Sequence, residues 1–286
     1  MRTRWTLGLA LIASVVAYAA ERHPWSKPPN RSSQASARND ERASTPSFGE
    51  DASTPGDCAA THPSATPPRM PDKLMRSTVV RCRTSFEILH SGLTRTPLWV
   101  SERLTPQIVA AARGMERVDS FEPDRSLPAS ARAELTDYRG SGWDRGHMAP
   151  NGDMGDVRSQ QESFELSNMS PQAPSLNRGP WADLESDVRK HVARNGMAYV
   201  VTGVLFEGAT LGTLPGGRVA IPTSLWKAVL SPDRGSVVMV ARNEDGENPV
   251  PMSIDAFKAR TGIDPFPSIS SRDRSTMLML DERNAR

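Results

Sequence analysis

Tyr138 to Pro150 reads YRGSGWDRGHMAP, and the fold is read outward from this stretch. It places Asp144, Arg145 and His147 within four residues, beside the glycines at 140, 142 and 146. Taken alone, a histidine between glycine and methionine fits a satisfied structural role, and an Asp-Arg pair fits a surface ion pair. The grouping changes meaning beside a second cluster, Leu166 to Lys190, LSNMSPQAPSLNRGPWADLESDVRK. That cluster adds Asn168, Asn177, Glu185 and Arg189, so a base, amide oxygens, a carboxylate and a guanidinium fall within a short span.

DRGHMAP, followed by SNMSPQ and then by NRGPW, resembles the signature of the DNA/RNA non-specific endonucleases, the ββα-metal or His-Me finger nucleases of the endonuclease G kind. The resemblance runs from Phe86 through AYVVTGVLFE and IPTSLWKAVL to ARTGIDPF near residue 266. It implies an α+β domain with a mixed, mainly antiparallel sheet carrying a ββα-metal active-site motif. It also implies hydrolysis of phosphodiester bonds in DNA and RNA. On this resemblance His147 is the general base, and Asn177 is the single protein ligand of a hard Mg2+, for which Mn2+ can substitute. Glu185, on the same helix as Asn177, would orient water of the metal's hydration shell. Its alternative is a simple i, i+4 partner for Arg189. Arg145, Arg117 and Arg189 would clamp phosphate oxygens through the guanidinium fork. Asn168 either belongs to the site or shapes the loop before Pro171. Two other readings stay open: a phosphodiesterase of small nucleotides on the same residues, and a binding module that has lost catalysis.

Around this centre, Phe86 to Leu89, Leu98 to Val100, Ala198 to Val204, Val219 to Ile221, Trp226 to Leu230 and Val237 to Ala241 are rich in β-branched and aromatic residues and predict strands. Helices are predicted over Thr105 to Arg113, over Pro180 to Asn195 stopped by Gly196, and over Ser253 to Thr261 ended by Gly262. In the middle helix Trp181, Leu184, Val188 and Val192 recur at helical spacing and predict a buried stripe. Pro180 would remove a backbone hydrogen bond from any helix already begun at Leu176. His90 and His191, outside the motifs, read as surface histidines.

Arg2 and Arg4 precede the apolar run Leu7 to Ala20, which ends in the small-x-small pattern of a cleaved export signal. The run is short of the ~20 residues that span a bilayer, so no stable membrane insertion is expected after cleavage, the alternative being an uncleaved anchor. Residues 21 to 70 hold 29 Ala, Ser, Thr, Pro or Gly out of 50, too little apolar surface for a core, which predicts a disordered tether and a single domain from 71 to 286. An exported chain meets an oxidising compartment in which Cys58 and Cys82 could pair or stay free. The formal charge of only +2 confines any polyanion site to a local patch. Two cysteines and no HExxH, GxSxG or GxxxxGK[ST] exclude four-cysteine zinc modules, zincins, typical α/β-hydrolases and P-loop NTPases.

Overall fold

The computed structural model describes residues 58–280. Three antiparallel strands come first: β1 (Thr78–Cys82), β2 (Phe86–Ser91) and β3 (Thr96–Leu104). The chain then leaves the sheet through α1 (Pro106–Arg113), α2 (Leu135–Tyr138), β4 (Asp144–His147), α3 (Val157–Ser163), β5 (Met169–Gln172), α4 (Pro174–Arg178) and α5 (Pro180–Asn195). It returns as β6 (Ala198–Leu205), β7 (Ser224–Ser231), β8 (Gly235–Arg242) and β9 (Val250–Met252), followed by α6 (Ile254–Thr261) and α7 (Ser271–Ser275). The large sheet has the order β1-β2-β3-β6-β7-β8-β9, antiparallel throughout, and β4 and β5 form a separate antiparallel pair. Everything between β3 and β6 is therefore one excursion whose ends meet in register at Leu104 and Ala198.

The sheet is built from β-branched runs buried on both faces, which explains why β6 and β7 lack a polar alternation. On one face α5 lays down Trp181, Leu184, Val188 and Val192, as its spacing predicts, against Val200, Val204, Leu225 and Val229. Each such side chain taken fully out of water contributes roughly 1.5–3 kcal/mol. Trp226 points to the opposite face from Leu225 and meets Phe257 of α6 at 5.1 Å between ring centroids. The helix ends obey local chemistry: Thr105 and Ser253 accept the backbone N–H groups of Ile108 and Ala256, and Gly262 closes α6 in the left-handed conformation.

The folded part begins earlier than composition predicts. Residues 58–70 are not tether: Cys58, Thr61, His62 and Met70 are buried, and Arg69 exchanges backbone hydrogen bonds with Asp264. What composition could not supply, a covalent bond does, because Cys58 and Cys82 form a disulfide with Cα atoms 5.7 Å apart. The remaining residues of the expected tether and the whole export signal lie outside the described residues.

Two further expectations are corrected. Val219 to Ile221 is not a strand. Its backbone makes only one bridge, Thr213 to Ala220, and Ala220 donates instead to the carbonyl of Thr94. Nor is His90 a surface residue. It lies inside β2 with no exposure, its Nε2 2.9 Å from the carbonyl oxygen of Ala131, and burial lowers its pKa to about 4.

Candidate active site

The β4–β5 pair sets the site. Register places Asp144 opposite Gln172, Arg145 opposite Pro171 and His147 opposite Met169. Gly146, the third residue of DRGH, is required by packing: a Cβ there would fall 2.0 Å from Cδ of the fully buried Gln172 side chain. Asn168 locks the turn that follows. Its Oδ1 accepts from the N–H of Ala149, and its Nδ2 donates to the carbonyls of Ala149 and Ser163. With no exposure and both amide atoms engaged, Asn168 does not line the cleft, and of its two readings the loop-shaping one describes its position.

His147, Arg145, Arg117, Asn177, Glu185 and Arg189 all line one cleft of about 700 Å3. The His147 ring stands edge-on to Phe164, with centroids 5.0 Å apart, and its buried Nε2 has no hydrogen-bond partner among the described residues. Burial first, then the charges of Arg117 and Arg145, lower its pKa to about 3 against the opposing pull of Asp119. The ring is thus neutral across the physiological range and keeps a lone pair available. The Arg145 guanidinium lies 4.0 Å from the centroid of Phe121. Arg117 is more than half exposed, lies 5.3 Å from the centroid of the Phe164 ring and pairs with the similarly exposed Asp119 at 2.7 Å, an ion pair that phosphate can readily replace.

Asn177 and Glu185 do not share one helix. Gly179 breaks the chain between α4 and α5, and Pro180 takes the first turn of α5, where its missing N–H costs nothing. The cleft nevertheless receives both side chains. Asn177 donates from Nδ2 to Asp144 at 2.9 Å, and among the described residues no group donates to its Oδ1. Arg178 holds the same Asp144 carboxylate with two bonds, at 2.8 and 2.5 Å, so Asp144 is not the partner of its sequence neighbour Arg145. The Glu185 carboxyl is raised to about 7, chiefly by burial and further by Asp153, with Lys227, Arg189 and Arg117 opposing. Arg189 pairs with Asp153 at 2.8 Å, and no ion pair with Glu185 forms. His191 is buried on α5 beside Asn195 and not at the surface.

These residues fit a divalent cation. The amide oxygen of Asn177 is a hard donor, and the Glu185 carboxyl lines the same cleft. No group of three or more His, Cys, Asp or Glu among the described residues could cage a metal, so a cation here would keep most of its water. Asp144, Arg178 and Asp153 were not singled out by the sequence as site residues, although Asp144 stands inside the DRGH motif.

An antiparallel strand pair followed by a helix, with histidine on the first strand and asparagine just after the second facing one cleft, is the architecture of the metal-dependent ββα nucleases. The chain belongs to the DNA/RNA non-specific endonuclease family, which matches residues 64–271. It is 31% identical over 218 residues to a nuclease of Nostoc sp., covering 70% of this chain and 77% of that relative. It is 30% identical over 212 residues to the mitochondrial endonuclease G of Homo sapiens, covering 68% of this chain and 71% of that protein. Among solved structures, the crystal structure of the EndoG/EndoGI complex superposes with a TM-score of 0.62 at 29% identity, covering 69% of this chain and 89% of the other. The protein is accordingly an endonuclease acting on nucleic acid.

Proposed function

We propose that the chain is an exported, Mg2+-dependent and sugar-non-specific endonuclease that hydrolyses DNA and RNA, with His147 as general base and Asn177 as metal ligand. The convergence of His147, Asn177, Glu185 and three arginines on one cleft carries this reading. His147 accepts a proton from the attacking water through a ring nitrogen, which its neutral state permits. Arg145, Arg189 and Arg117 oppose the negative charge that grows on the phosphate oxygens. Glu185 holds and orients water in the cleft. Asp144 fixes the Asn177 amide so that Oδ1 stays directed to its task. Bound through that oxygen, Mg2+ would neutralise charge on the departing 3' oxygen.

Because the nucleophile is water and not a ribose 2' hydroxyl, DNA and RNA of matched length should be cut at comparable rates. Cleavage should weaken steeply as salt rises, since contacts are to backbone phosphates. Initial rates on duplex DNA, single-stranded DNA and RNA at two salt concentrations test this. Confinement to one sugar type or one short sequence would refute the sugar-non-specific reading.

The disulfide supports export, since such bonds persist in oxidising compartments. The mature protein is expected to start near Ala20 and to be found outside the cytoplasm. N-terminal sequencing reads this directly, and an intact Met1 recovered in a membrane fraction contradicts it.

A further inference from the structure

Arg189 is held from two sides by groups that the reaction itself does not use. Asp153 meets its Nη1 at 2.8 Å and is only 3% exposed. The neighbouring Gly152 presents bare backbone to the guanidinium: a Cβ there would stand 3.2 Å from Nη1 and 3.4 Å from Cζ. Both belong to the tight turn Asn151–Asp153, closed by backbone bonds from Asp153 to Pro150 and from Met154 to Asn151. This turn begins four residues after His147, so the base and the cradle of the arginine sit on one short continuous stretch of chain.

Behind Asp153 the sheet contributes two more buried ionisable groups. Glu102 of β3 is 2% exposed and is electrostatically linked to Asp153. Lys227 of β7 is 1% exposed, donates to the Thr202 hydroxyl, and acts electrostatically on Glu102, Asp153 and Glu185. Three carboxyls thus face two cations. Burial and the charge of Asp153 push the Glu102 carboxyl well above the ordinary carboxylate range. Burial raises the Asp153 carboxyl as well, with Arg189 the largest opposing influence, and Asp153 is the carboxyl that meets the guanidinium. A buried carboxylate and a glycine that leaves room for a flat guanidinium limit a long side chain that would otherwise sample many rotamers.

We propose that Asp153 is a positioning residue that fixes Arg189 in the cleft. This rests on Arg189 acting as a phosphate clamp. Asp153 touches no reacting atom. Its effect passes through the direction in which Arg189 presents its remaining N–H donors, and it is felt in turnover more than in substrate binding.

The test is a thermodynamic cycle of Asp153→Asn, Arg189→Ala and the double variant. kcat and KM are measured on duplex DNA with Mg2+, and folding is followed by thermal melting. Asp153→Asn is expected to lower kcat ~10- to 100-fold with KM within ~3-fold of the parent. Adding it to Arg189→Ala should cost little further, because the residue it positions is gone. Parental kcat in a folded Asp153→Asn protein overturns the proposal, as does a double variant in which the two losses multiply. Parental kinetics in Arg189→Ala overturn the phosphate clamp, and the positioning role falls with it. If Asp153→Asn does not fold, Gly152→Ala carries the test, since it removes no charge and crowds the guanidinium by a few tenths of an ångström. A kcat lowered at little-changed KM then supports the cradle, and an unchanged kcat overturns it.

Discussion

His147→Ala should leave the protein folded and able to bind DNA while cleavage falls ~10²- to 10⁴-fold, the usual cost of losing a general base. Binding should survive because Arg145, Arg117 and Arg189, the proposed phosphate clamps, line the cleft independently of the imidazole. The ring packs against Phe164 and Phe121, so melting temperature must be measured alongside turnover. The same environment sets a pH expectation. Its folded pKa of about 3 lies below the ordinary 6.5, so folding favours the neutral ring. That contribution to stability is complete above about pH 6.5 and is lost as pH falls toward about 3. The acid limb of kcat/KM assigned to His147 should accordingly lie well below pH 6.5. A folded His147→Ala protein that turns over like the parent rejects this residue as the base.

Asn177→Ala should abolish Mg2+-supported cleavage. With no cluster of three potential ligands among the described residues, the site offers no cage to compensate for the lost amide oxygen. The fold should tolerate the change, because Asp144 keeps both bonds from Arg178 after losing the one from Asn177. Chelation by EDTA should reproduce the loss in the parent, and excess Mg2+ should restore the parent but not the variant. Full activity in EDTA would sink the one-metal mechanism, and full activity in Asn177→Ala would reassign the ligand.

The contrast between what the sequence revealed and what it concealed follows the range of the interactions. DRGH and NRGPW are contiguous, so their chemistry could be read without tertiary information, and the Trp181-Leu184-Val188-Val192 stripe declares its buried face through helical spacing alone. Partner choice is a tertiary matter. Arg189 has Glu185 four residues away on one helix, yet it chooses Asp153, which the turn after β4 delivers in an already buried position. Asp144 likewise ignores the adjacent Arg145 for Arg178. The burial of His90 depends on a distant loop carbonyl, Ala131, which no local pattern signals. Residues 58–70 misled for a different reason: a segment poor in apolar side chains can be held by sulfur and by backbone pairing with Asp264, and composition measures neither.

That sulfur link also changes what a protease can accomplish. Cys58 and Cys82 are separated by 24 positions and close a covalent ring that contains the whole first segment of the fold and all of β1. By loop-closure entropy such a ring is worth about 3 kcal/mol to the folded state. Its topological effect is independent of that figure. A single backbone cut anywhere between Cys58 and Cys82 adds two chain ends but yields no second molecule, because the piece that carries Cys58 remains bonded to Cys82. Nicking in this ring is therefore silent to size under non-reducing conditions, and only a combination of cutting and reduction can detach the leading segment from the sheet that supports the catalytic cleft.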